Sequence, residues 1–71
     1  MSSERLEVHR LEEGEWRECA SLDVLPRMRA LDLMRLVAGI AQRGDRVRYE
    51  GQWFSYQNGF LKNIQPEKND G

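Results

Sequence analysis

The stretch Arg46-Val47-Arg48-Tyr49-Glu50-Gly51-Gln52-Trp53-Phe54-Ser55-Tyr56-Gln57-Asn58-Gly59-Phe60-Leu61-Lys62-Asn63-Ile64 decides the fold. β-Branched and aromatic residues alternate with polar ones at a period of two, which is the pattern of half-buried strands. Glu50-Gly51 reads as a two-residue turn, and Asn58-Gly59 is the strongest hairpin signal in the chain. Three antiparallel strands follow: 46–49, 52–56 and 60–64.

The turns set the register, and the register sorts the side chains. With Glu50-Gly51 as the turn, Tyr49 opposes Gln52, Arg48 opposes Trp53, Val47 opposes Phe54 and Arg46 opposes Ser55. Through Asn58-Gly59, Tyr56 opposes Leu61 and Trp53 opposes Ile64. Directly opposed residues share a face. Val47, Tyr49, Phe54, Tyr56 and Leu61 therefore form one side. Arg46, Arg48, Trp53, Ser55, Lys62 and Ile64 form the other. A slip of one residue would exchange the two sides.

Upstream, the period changes to that of a helix. Ala30, Leu33, Val37, Ile40 and Ala41 recur at three- and four-residue steps, widened by Met34 and Leu36. The amphipathic pattern predicts a helix over 26–43. Pro26 suits its first turn, and Gly44 suits the position after its end. A strand running on through Leu22 and Val24, with the helix starting nearer Ala30, is the alternative. Gly39 falls inside this helix at a cost of about 1 kcal/mol relative to alanine.

Further upstream, Leu6 and Val8 alternate with Glu7 and His9 over 5–11. A polar loop, Glu12-Glu13-Gly14-Glu15, leads to a returning strand over 16–20. The order is ββ-α-βββ. The simplest packing is an α+β two-layer sandwich, one amphipathic helix on an antiparallel sheet. A single domain is expected over 1–64, with a disordered polar tail over 65–71.

The bulk properties exclude several functions. Seventy-one residues hold one small core, and 39% hydrophobic against 32% charged residues favours a globular domain. One cysteine, Cys19, and one histidine, His9, rule out an internal disulfide and zinc sites built from several thiolates or histidines. No apolar run reaches the ~18 residues of a membrane helix. The segment Met1-Ser2-Ser3-Glu4-Arg5 opens no apolar leader, so a cytoplasmic setting is expected. Nine Arg against two Lys are compatible with a GC-rich bacterial or phage genome.

The net charge of −1 is unevenly spread: −4 over 1–23, +4 over 24–49 and −1 over 50–71. The near-neutral total argues against a general nucleic-acid coat. The bland account is an acidic first segment lying beside the basic block. Catalysis has little to build on. His9 and Cys19 could face each other across the first hairpin, but no third residue orients them. Cys19 reads as a small buried apolar residue and His9 as an ordinary strand histidine. Glu12, Glu13 and Glu15 repel one another in a solvated turn, where metal binding would be unspecific. No phosphate-cradling glycine run occurs. The expectation is a protein without catalysis, cofactor or metal.

What remains is the sheet side with no helix over it. An indole beside an arginine is the pairing that dominates binding energy at protein interfaces. A tryptophan stacked under Arg48 in a cation–π contact is the plainer account. The expected function is a small protein-interaction or regulatory module. It would bind through Trp53, Arg48, Arg46, Ile64 and Lys62, either to itself as a homodimer or to a partner protein that it modulates. The alternative is single-stranded nucleic-acid binding on the same Arg/aromatic surface.

Overall fold

The computed structural model describes residues 3–65. The order is β1 (Glu4–Glu12), β2 (Glu15–Val24), α1 (Ala30–Ala38), β3 (Arg46–Tyr49), β4 (Gln52–Tyr56) and β5 (Leu61–Ile64). The five strands form one antiparallel sheet in the order β2-β1-β3-β4-β5. The fold is α+β. The tail expected to be disordered lies, apart from Gln65, outside the described residues.

The strand register is the one read from the turns. Val47 pairs with Phe54, Arg48 with Trp53, Trp53 with Ile64 and Tyr56 with Leu61. The Glu50-Gly51 and Glu13-Gly14 turns share one backbone solution: φ is +53° at both glutamates, +75° at Gly51 and +81° at Gly14. Two consecutive positive φ values match the right-handed twist of the flanking strands. The second position demands glycine; the first is strained for glutamate. The first hairpin is therefore tighter than the expected four-residue loop, and its strands run longer. The last strand begins at Leu61, because Phe60 sits in a bend closed by Gln57 N–H donating to the Phe60 carbonyl at 2.8 Å.

The helix is half the expected length. The structure starts it at Ala30, the alternative weighed from sequence, and ends it at Ala38 instead of Arg43. Pro26 lies in a turn ahead of it, followed by Arg27 at φ +56°. Proline at the second position of a turn and positive φ at the third is the geometry of a type II turn. That turn is pinned to β3. The Arg27 N–H donates to the Glu50 carboxylate at 2.6 Å, the Met28 N–H donates to the Tyr49 hydroxyl at 3.0 Å, and that hydroxyl donates to the Leu25 carbonyl. Gly39 caps the C-terminus, and its N–H bonds back to the Leu36 carbonyl. Gly44, expected to stop the helix, instead sits at φ +94° in the turn entering β3.

Leu33 and Val37 bring α1 into one buried cluster with Leu6, Val8, Val47, Tyr49 and Tyr56. Leu6 and Val8 come from β1, Val47 and Tyr49 from β3, so the core sits over the seam between those strands. Asp45 closes one end of it. Only 3% exposed, its carboxylate accepts from Arg10 Nε and Nη2 and from the Gln42 N–H at 2.8–3.2 Å. A buried charge without such partners would cost several kcal/mol.

Candidate functional site

Pairing β1 beside β3 extends the helix-free face. His9 pairs with Arg46 and with Glu18; Glu7 pairs with Arg48 and with Ser21. One continuous row then crosses all five strands: Ser21, Glu7, Arg48, Trp53, Ile64. A second row reads Glu18, His9, Arg46, Ser55, Lys62. Among the described residues, no element lies over this face.

The sequence-predicted residues lie together on it. Arg48 and Lys62 are exposed, while Arg46, Trp53 and Ile64 are half-buried. Trp53 is less open than the sequence implies. The Arg48 guanidinium lies 5.8 Å from its ring centroid, and the His9 ring packs at 5.0 Å and a 59° tilt. Sequence reasoning placed Arg48 but missed His9, which reaches Trp53 only because β1 lies next to β3.

It also missed Trp16. A bulge at Val8/His9 inserts one extra residue into β2, so His9 opposes Glu18 and not Cys19. The same shift brings Trp16, opposite Leu11, onto the helix-free face, where Arg46 lies 4.1 Å over its ring. Trp16 is 38% exposed and Leu11 53%. The bulge also corrects two readings of Cys19: it is exposed rather than buried, and it does not face His9. Nothing in the sequence marks a bulge there, since neither strand has a glycine near it.

Charge is sorted across the face. Arg5 Nε and Nη2 pair with Glu7 at 3.0 Å and Glu18 at 2.8 Å. The Glu7 carboxylate also accepts from His9 Nε2 at 3.0 Å. That hydrogen bond, with Arg5 and Arg48 nearby, holds the Glu7 carboxyl below its usual range. Glu18, more than Glu7, reinforces the charge on Arg5. Ligand atoms of Glu7, His9 and Glu18 lie within 4.8 Å of one another, a set that could approach a metal ion. The Arg5 guanidinium already bridges the two carboxylates and would have to leave first. Beyond this acidic cluster on β1 and β2, the β3–β5 half carries Arg46, Arg48 and Lys62.

The opposite side holds an apolar groove of about 220 Å³ between α1 and β3–β5, lined by Met28, Leu33, Met34, Tyr49, Phe54 and Leu61. Among the described residues, no helix is long and apolar enough to cross a membrane. Comparison of the chain with family models, curated proteins and solved structures gives no match, so its function rests on its own residues.

Proposed function

We propose that this chain is a small non-enzymatic protein-interaction or regulatory module, binding stoichiometrically through the sheet face opposite α1. The reading takes the fold as a two-layer ββ-α-βββ arrangement, with the helix on one side and the partner on the other. One observation carries it: Trp16 and Trp53 lie on that face, each beside an arginine. Tryptophan gives large contact area with few rotatable bonds to immobilise, and arginine adds a planar fork of donors, which is why both concentrate at binding hot spots. Leu11 and Ile64 add apolar surface beside them. A cytoplasmic setting without cofactor, metal or membrane goes with this reading.

The test compares tagged wild-type protein with Trp16→Ala/Trp53→Ala, and with Leu25→Ala as a control away from the face. Wild type and control should retain a stoichiometric partner, whether another protein or an untagged copy. The double variant should lose it while stability falls by no more than about 2 kcal/mol. An unchanged set of retained proteins would refute the assignment.

Single-stranded nucleic acid is the second reading, favoured by Arg46, Arg48 and Lys62 around Trp53. Glu7, Glu18 and Asp23 on the same face oppose it. It requires oligonucleotide retention that falls steeply with salt and with Arg46→Glu or Arg48→Glu. No retention in low salt ends it.

A further inference from the structure

We infer that the occupant of the helix-free face is a second copy of this chain, related by a two-fold axis that runs along the strands at the β1–β3 seam. The inference rests on the interaction reading above and names its partner.

The argument lies in the row Ser21, Glu7, Arg48, Trp53, Ile64, which crosses all five strands. Its first four residues run small, acidic, basic, large. A two-fold axis between Glu7 and Arg48 turns these four end for end and leaves Ile64 of β5 beyond the edge of the partner's β2. Each Glu7 then faces the partner's Arg48, and each Ser21 faces the partner's Trp53. Over these four strands charge and size are both self-complementary, as a contact between two identical surfaces requires. The alternative in-plane axis, running across the strands, would set every strand on its own copy and bring like charges together. The strand-parallel axis also keeps the two sets of strands aligned, the common geometry of stacked sheets.

Local chemistry agrees with this placement. Ser21 is exposed and short, so it leaves room for an indole above β2. Glu7 already accepts from Arg5 and His9, but a carboxylate has about four lone-pair sites, so a further guanidinium can be accommodated. In the second row, Glu18 meets the partner's Ser55, a hydroxyl donor for its carboxylate; His9 meets the partner's Arg46, a pair that adds no charge complementarity, and Lys62 lies beyond the partner's β2. The molecule measures 36 and 27 Å along its two longer axes, room for the roughly 800 Å² per partner that a standard interface buries.

The symmetry dictates an unusual test. Sedimentation equilibrium of the wild type should show a concentration-dependent dimer. Glu7→Arg places arginine against the partner's Arg48, and Arg48→Glu places glutamate against the partner's Glu7. Each variant alone should weaken dimerisation at least tenfold. An equimolar mixture of the two should recover it, because every facing pair in the mixed dimer is again of opposite sign. Ser21→Arg blocks the indole site without altering Glu7, Arg48 or Trp53. It should also give monomer while keeping a cooperative thermal transition, so loss of the dimer can be told from loss of the fold. The inference is overturned by a wild type that stays monomeric at several hundred micromolar. It is overturned equally by a dimer indifferent to Ser21→Arg, or by a mixture no tighter than its components. A monomeric wild type that still loses a different protein partner on Trp16→Ala/Trp53→Ala would defeat the second copy and leave the interaction reading standing. Unchanged retention in that variant would defeat both.

Discussion

Two carboxylates show how differently one charged residue can act in this small protein. Asp45 is buried and satisfied: two nitrogens of Arg10 and one backbone N–H converge on it. It thereby joins β1 to the turn that enters β3. Asp45→Asn keeps the volume but removes the charge that Arg10 faces and replaces one acceptor by a donor. The expected loss is about 2 kcal/mol, seen as a lower denaturation midpoint with an unchanged slope. Glu7 is a different case, because its role is legible in pH. Its folded-state pKa is lowered, chiefly by the His9 hydrogen bond, so its stabilisation is complete above the ordinary value of 4.5. It fades as pH falls through the lower folded value. Glu7→Gln should therefore flatten the acid limb of stability below pH 4.5, measured by chemical denaturation at low protein concentration. A limb as steep as the wild type's would show that the Glu7 network contributes nothing to folding.

Elements differ in how openly the sequence announces them, and the reason is range. The β3–β4–β5 register was legible because each strand is tied to the next by a turn whose residues advertise it: Glu50-Gly51 and Asn58-Gly59. Trp53 and Arg48 could accordingly be set on one face from sequence alone. The β1–β3 pairing was not legible, since 33 residues lie between Glu12 and Arg46 and no local residue names its neighbour. His9 was missed with it, and Trp16 was missed because the bulge at Val8/His9 that turns it onto the helix-free face leaves no mark in the sequence. The helix was overread for another reason. Apolar spacing continues through Ile40 and Ala41, and both do pack on the core, but as a turn after Gly39 rather than as helix. Its start is equally unmarked. Arg29 occupies the N-cap with extended backbone and no capping side chain, where its positive charge also opposes the helix dipole. Arg29→Ser should place a hydroxyl within reach of the Asp32 N–H and raise stability by about 1 kcal/mol. A thermal midpoint no higher than the wild type's would mean that this end frays regardless of its cap.

The molecule as a whole is two hairpin systems joined along one seam. β1 and β2 form the first; β3, β4 and β5 form the second; the Leu6–Tyr49 and Val8–Val47 pairs join them. All four of these side chains are buried, and Leu33 and Val37 of α1 complete the same cluster. Neither half keeps a core of its own once the seam opens: Leu6 and Val8 would lose Val47 and Tyr49, and the reverse. An isolated hairpin is marginal in water, and a three-stranded sheet needs an apolar face that stays covered. Folding should therefore be all-or-none. Nature has placed one tryptophan in each half, which makes the claim measurable. Trp16→Phe leaves Trp53 to report on the β3–β5 system; Trp53→Phe leaves Trp16 to report on the first hairpin. Each variant's fluorescence transition in urea should coincide with its own transition by far-ultraviolet circular dichroism, and the two variants should have equal slopes. Trp16 losing its signal at lower urea than the backbone of the same variant would mean that the long hairpin peels away first. In that event the seam would be a contact between two separately stable parts and not the centre of one core, and a face spanning both halves would hold together only at the lower of their two stabilities.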